Sequence, residues 1–238
     1  MNMKRLTVFL VAIVALAGCA GKEVKDEVFP EENAAQLYTQ AKLAIKSGNY
    51  RSAIERLEAL DLRYPYGTYS QQGQLDLIYA YHKSGDIASA LAAADRFIRQ
   101  NPRHKNVDYA YYMKGVVNFE ANTGVLASIM SAELSKRSSE TARRAFEDFA
   151  ELIRRFPESQ YANDSRQRMI YLRNRLAEYE LHVARYYMQR EAYLAAVRRA
   201  KYVVEHYPKS TAVANALEIL VTAYQNLGLE ELAEKNRR

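Results

Sequence analysis

The sequence predicts an all-α solenoid of about five helix pairs, about ten helices in all. Three observations carry that expectation. Four of the five prolines stand at the ends of helix-like runs, with matched residues at fixed distances before them. No stretch of useful length alternates apolar and polar residues as a half-buried strand would. The chain of 238 residues holds 9 Gly and 5 Pro, too few for a turn-rich β-sandwich.

The repeat is read from Pro65, Pro102, Pro157 and Pro208. Twelve residues before each stands an alanine: Ala53, Ala90, Ala145 and Ala196. Eight before are Leu57, Ala94, Phe149 and Ala200, and five before are Leu60, Phe97, Leu152 and Val203. These offsets fall on one helix face, so each run buries one stripe. The alanine lets a partner helix approach, and the proline ends the helix because it disfavours α geometry in the residue before it. Gly48-Asn49 and Gly85-Asp86 pair a helix-stop with a helix-start residue, and Gly228 repeats the turn. Ala41, Gly115 and Ala184 are the small crossing residues of the preceding helices. Two helices per unit and a period near ~34 residues resemble the tetratricopeptide repeat. The repeats read as 34–67, 71–104, 108–159, 177–210 and a truncated one from 214, with an insertion near 123–140 in the third. The stretch 160–189 has neither Pro nor Gly and reads as one long helix. Arrays of this kind bury a core only between neighbours and expose an extended face.

The amino terminus is a separate element. Lys4 and Arg5 precede an uncharged run over 6–17, which is too short to span a bilayer and fits the basic and apolar regions of a secretory signal. The run ends Leu16-Ala17-Gly18-Cys19, and Cys19 is the only cysteine. Small residues before a Cys resemble the lipobox of bacterial lipoproteins, which implies cleavage after residue 18 and acylation of Cys19. Two or more acyl chains anchor stably. Ala20 follows, not the Asp that favours inner-membrane retention in enteric lipoproteins, so the outer membrane is the expected address. The expected organisation is a signal peptide over 1–18, a lipidated Cys and tether over 19–33, two repeats over 34–105 and the remaining repeats over 106–238.

Chemistry is sparse. The four histidines, His82, His104, His182 and His206, show no metal-ligand spacing and read as surface or helix-terminal residues. No phosphate loop or nucleophile elbow occurs, so neither an enzyme nor a cofactor is expected beyond the lipid on Cys19. Basic pairs such as Arg143-Arg144, Arg154-Arg155 and Arg198-Arg199 are spread over several helices on a chain of formal charge +6. An exported chain does not meet RNA, so these pairs read as solvated faces or docks for acidic protein partners, with no nucleic acid expected. The chain has 19 tyrosines. Tyr38, Tyr79, Tyr112 and Phe119 fall on first-helix positions that such arrays turn inward, while Tyr50, Tyr193 and Tyr224 fall on packing positions.

The stretch 57–67, Leu-Glu-Ala-Leu-Asp-Leu-Arg-Tyr-Pro-Tyr-Gly, continues with Tyr69-Ser70-Gln71-Gln72 and with Leu75-Asp76-Leu77-Ile78-Tyr79-Ala80-Tyr81. Together with Asp95-Arg96-Phe97-Ile98-Arg99, Asn101-Pro102 and Ala184-Arg185-Tyr186-Tyr187, it resembles the BamD (ComL-type) family of lipoproteins. The resemblance covers essentially the whole mature chain. It implies a non-enzymatic scaffold of the β-barrel assembly machinery that binds a POTRA domain of BamA, the lipoprotein BamC and unfolded outer-membrane proteins. It places a substrate groove in the first two repeats; the inward repeat positions of Tyr38 and Tyr79 make them its expected lining, with Lys42 and Lys83 nearby as cations for a terminal carboxylate. It places the BamA dock at Arg198 and Arg199, with Arg199 meeting an acidic residue. The insertion over 123–140 departs from the family pattern, so no contact is carried onto it. The alternative is a tetratricopeptide lipoprotein adaptor in cell-envelope, peptidoglycan or division coordination.

The lipobox makes one direct prediction. Cys19→Ala leaves a periplasmically soluble or unprocessed chain, whereas the parent fractionates with outer membrane; an unchanged fractionation would remove Cys19 as the anchor.

Overall fold

The computed structural model describes residue 29 and residues 31–123 and 132–237. Ten helices follow one another with no strand among the described residues: α1 (Ala34–Lys46), α2 (Tyr50–Arg63), α3 (Ser70–Ser84), α4 (Ile87–Gln100), α5 (Val107–Thr123), α6 (Ala132–Arg155), α7 (Ala162–Gln189), α8 (Tyr193–His206), α9 (Val213–Asn226) and α10 (Glu230–Arg237). Each helix packs against the next, and the first helices of successive pairs also touch, α3 on α5 and α7 on α9.

The stripe read from the prolines is the core. Ala53, Ala90, Ala145 and Ala196 are fully buried. So are Ala94, Phe149 and Ala200 eight residues before a proline, and Phe97, Leu152 and Val203 five before; Leu57 and Leu60 are 1 % exposed. The loop after each second helix is built the same way four times. The amides of Tyr64, Asn101, Phe156 and Tyr207 donate to the carbonyls of Leu60, Phe97, Leu152 and Val203. Those of Gly67, His104, Ser159 and Ser210 then close a turn onto Tyr64, Asn101, Phe156 and Tyr207.

Turns within the pairs share a second design. Asn49, Asp86, Ala192 and Leu229 donate back to the carbonyls of Ala44, Tyr81, Tyr187 and Tyr224, the six-to-one bond of a helix C-terminal motif. That motif needs one residue in the left-handed region, supplied by Gly48, Gly85 and Gly228 at φ 77°, 82° and 71°. In the fourth pair the same place is taken by Glu191 at φ 58°, so a turn identical in bonding has no glycine to announce it. Capping completes the starts. Asn33 and Gln36 form a reciprocal box at the head of α1, Asn49 accepts from Ser52 N, and Asp86 accepts from Ser89 N. That last bond holds the Asp86 carboxyl below the ordinary range.

Two lengths depart from the repeat. Residues 132–140 of the expected insertion continue α6 as regular helix, so α6 runs 24 residues; 124–131 lie outside the described residues. The long helix expected over 160–189 is α7, 28 residues without a break. Its Leu172 and Leu176 pack with Phe149, while Ala177, Leu181 and Ala184 pack with α8 and α9, so one rod joins the third and fourth pairs. The tether is shorter than expected. Phe29 packs against the first core, under the Arg56 guanidinium at 4.2 Å, and its carbonyl accepts from Arg63 Nη2 at 2.8 Å.

Gly115 is the tightest crossing. A Cβ there would lie 2.5 Å from the ring of the fully buried Phe149. Gly115→Ala therefore forces α5 and α6 apart and costs about 1–3 kcal/mol, read as a lower midpoint in urea unfolding; an unchanged midpoint would mean that the Phe149 ring has room to turn away.

Candidate functional site

The outer positions of the first helices carry a row of aromatic rings. At one end Tyr38 of α1 stacks on Tyr69, the residue before α3, with centroids 5.1 Å apart. Next, Tyr79 of α3 meets Tyr50 edge-on at 6.3 Å, with Lys83 Nζ 5.8 Å from the Tyr79 centroid. Tyr109 of α5 follows, its hydroxyl pushed far up by burial and then by Asp76, Tyr161, Tyr79 and Tyr112 around it. Tyr112 stacks on Tyr161, the residue before α7, at 4.5 Å and donates to Asp164 Oδ2 at 2.8 Å. Phe119 closes the row against Tyr171 at 5.6 Å, under the Arg168 guanidinium at 4.8 Å. Burial, with Asp76 second, raises the Tyr38 phenol to about 12; burial, with the Asp164 bond second, does the same for Tyr112. Both therefore stay protonated donors at neutral pH.

Charges along the row are matched in place. Lys42 Nζ lies 3.1 Å from Asp76 Oδ2, and Gln72 Nε2 donates to Asp76 Oδ1 at 3.4 Å. Arg168 Nε donates to Asp164 Oδ2 at 2.6 Å. Lys42 thus stands where the sequence placed a cation, but its charge already faces a carboxylate. Lys83 is exposed and has no ion pair among the described residues, so it is the cation of the expected pair that remains open to an incoming carboxylate.

Sequence reasoning found Tyr38, Tyr79, Tyr112 and Phe119 and missed Tyr69, Tyr109 and Tyr161. A signal existed for two of these. Tyr69 and Tyr161 both lie four residues after a repeat proline, Pro65 and Pro157, where the shared loop aims them at the first-helix face.

The second expected site lies on α8. Arg198 and Arg199 are both exposed, as expected. Arg199 is not an idle guanidinium, however. Its Nη1 lies 3.0 Å from Oε2 of Glu180 on α7, and the Glu180 side chain is only 7 % exposed. Burial works against the Arg199 charge, but the bond to Glu180 outweighs it and holds the guanidinium above its ordinary range. Arg198 makes no ion pair among the described residues, so it is the one of the two open to a partner.

Other readings shift in the same way. His82 is helix-terminal as expected, in the last turn of α3, but it is not at the surface: its side chain is 8 % exposed, with Nε2 3.4 Å from Glu120 Oε2. Burial depresses its pKa against the pull of Glu120. Arg154 and Arg155 both pair with Glu151, so that basic cluster is partly neutralised. Among the described residues no group of three or more His, Cys, Asp or Glu is placed to hold a metal ion, and no helix is long and apolar enough to cross a membrane. Cys19 lies outside the described residues.

Comparison with known proteins adds a third kind of observation. Residues 30–238 match the family described as YfiO, outer membrane lipoprotein. Residues 3–20, which contain Cys19, match the prokaryotic membrane lipoprotein lipid attachment site. The outer membrane protein assembly factor BamD of Vibrio cholerae is 42% identical over 229 residues, covering 96% of this chain and 94% of that protein. BamD of Neisseria meningitidis serogroup A is 38% identical over 239 residues, covering 99% and 90%. BamD of Xylella fastidiosa strain 9a5c is 37% identical over 235 residues, covering 98% and 80%.

The Arg199–Glu180 pair yields a stability prediction. Arg199→Leu leaves a buried carboxylate without its cation and costs about 1–3 kcal/mol, lowering the thermal midpoint followed by circular dichroism. Glu180→Gln in the same background restores much of that loss. If the single change is silent, the pair contributes nothing and Arg199 is as open as Arg198.

Proposed function

The chain belongs to the YfiO family of outer membrane lipoproteins, and on that premise we propose that it is a non-enzymatic assembly factor for outer-membrane β-barrel proteins. The observation that carries this reading is its likeness, over nearly the whole length of both chains, to proteins named outer membrane protein assembly factor BamD. Cys19 holds the protein at the membrane through its lipid, within the segment that matches an attachment site. The folded repeats stand on the periplasmic side and work by binding alone.

The tyrosine row is the face for unfolded substrate. A strand segment of a barrel protein presents side chains to alternate sides, so every second residue of an extended peptide reaches one face. Tyr38, Tyr69, Tyr79, Tyr109 and Tyr112 offer rings of large area and few rotamers; the Tyr112 and Tyr38 hydroxyls are held by Asp164 and Asp76, and those of Tyr69 and Tyr79 are open to peptide carbonyls. Ring contact tolerates many sequences, as a receptor for many barrel proteins requires. Lys83 receives the carboxylate of a carboxy-terminal strand, and the pairs Lys42–Asp76 and Arg168–Asp164 keep the remainder of the row close to neutral.

The carboxy-terminal pairs hold the partners: a POTRA domain of BamA at α8, and BamC. Arg198 supplies the free planar fork for an acidic partner residue. Arg199 contributes by bracing α8 on α7 through Glu180, which keeps Arg198 at a constant place and angle.

Aromatic-ended carboxy-terminal peptides of barrel proteins should bind the full soluble chain at micromolar strength, about −8 kcal/mol. The double change Tyr38→Ala/Tyr79→Ala removes two ring contacts and weakens binding by about 10- to 100-fold in fluorescence anisotropy, with helical content unchanged. Equal binding by the double variant would move the substrate face off the first two pairs.

A further inference from the structure

We propose that the last turn of α2 and the loop after it, which carry Leu62 and Tyr66, form a membrane-contact surface that seats the amino-terminal end of the solenoid on the phospholipid surface. The inference rests on the lipid anchor at Cys19 and deepens that reading. It starts from where the tether ends. Phe29 is held by Arg63, whose Nη2 donates to its carbonyl at 2.8 Å, and by the Arg56 guanidinium over its ring. Glu32 adds a contact to Arg56 at 3.7 Å. Phe29 lies ten residues after Cys19. Ten residues span at most about 36 Å even when fully extended, so Phe29 cannot stand farther than that from the acylated cysteine, and Arg63 is bonded directly to it.

Beside Arg63 lie the two most exposed large apolar side chains described, Leu62 at 83 % and Tyr66 at 100 %. They do not wave freely. Gly67 N donates to Tyr64 O at 3.0 Å and Ser70 Oγ to Pro65 O at 2.7 Å, which fixes the loop that projects Tyr66. The neighbouring loop is tied alongside by Gln71 Nε2, which donates to Asn101 Oδ1 at 3.0 Å. That loop and the end of α4 present Arg99, Arg103 and Lys105, all exposed and none in an ion pair among the described residues. The result is an apolar, tyrosine-tipped projection flanked by cations, next to the anchored end of the chain.

Water is a poor partner for that tip, and a bilayer surface matches it. Tyrosine places its ring at the level of the headgroups with its hydroxyl in water, and Arg and Lys meet phosphate oxygens of anionic lipids. The attraction can be weak and still be populated. A short tether raises the local concentration of the surface to the millimolar range, so the contact forms within an already anchored molecule. Its effect is orientation: it determines which edge of the solenoid faces the bilayer.

The chain contains no tryptophan, so Tyr66→Trp introduces a single indole at a fully exposed position. The full-length lipidated protein is reconstituted into vesicles of phosphatidylethanolamine and phosphatidylglycerol, with flotation reporting the anchor. Tyr66→Trp emission should shift to the blue, and brominated lipid should quench it at least about two-fold more than Leu194→Trp, an exposed position on α8. Adding Arg103→Glu/Lys105→Glu should lower that quenching. If the protein floats with the vesicles but the two tryptophan variants quench alike, the proposal fails and the anchor stands. If the protein does not float, the anchor reading fails and takes the proposal with it. Shielding of the indole only after partner proteins are added would make the tip a protein dock, which also overturns the proposal.

Discussion

Each of the first four helix pairs is closed against a residue no larger than a methyl group, and the rest of the architecture follows from that approach. Ala53, Ala90, Ala145 and Ala196 have no exposed surface, and the opposing helices bring small residues to the same cores: Ala41 beside Ala53, Gly115 against the Phe149 ring, and Ala184 beside Ala200. A methyl-sized contact brings two helix backbones close enough for the larger side chains on either side, Leu57 and Leu60 or Phe149 and Leu152, to interlock. Because the contact recurs at a fixed distance before each proline, each pair ends with the same loop and delivers the next helix in the same relation. Stability is then passed from neighbour to neighbour, as in other repeat arrays.

That regularity aligns positions that are unrelated in sequence. The first helices present their outer residues side by side, so rings contributed by α1, α3, α5 and α7 become one surface. Lys42 and Asp76 illustrate the register: they are 34 residues apart and meet at 3.1 Å. The length of α7 adds a second consequence. A rod that packs on Phe149 at one end and on α8 and α9 at the other makes the tyrosine row and the Arg198 surface parts of one body. On the proposed reading, a peptide on the row and a partner on α8 would keep a fixed separation.

The carboxylates at the two candidate surfaces are matched within the fold. Asp76, Asp164 and Glu180 each meet a cation of the chain itself, leaving Lys83 and Arg198 as the open cations of the two candidate surfaces. A row of phenols with its charges matched suits a receptor that must release its substrate. Hydrogen bonds and ring contacts hold an extended chain in many sequences, and the one open charge of the row, Lys83, faces a terminal carboxylate that every chain carries.

The sequence by itself determined the repeat, because its causes are local. The proline spacing, the alanines twelve residues earlier and the turn glycines Gly48, Gly85 and Gly228 each act within one or two turns of their own helix, so their pattern is legible along the chain. Their limit appears at Glu191, which adopts the same left-handed turn without a glycine, since the surrounding hydrogen bonds and packing override its preference. Tyr38, Tyr79 and Tyr112 on the first helices were legible from helical phase. Tyr69 and Tyr161 were not, because they precede helices and only the loop after each proline turns them onto that face. Only the tertiary structure decided which cations are open. Lys42 and Lys83, or Arg198 and Arg199, look alike in sequence; one of each is paired because Asp76 and Glu180 arrive from a neighbouring helix, and charge pairing depends on distances that helix packing alone sets.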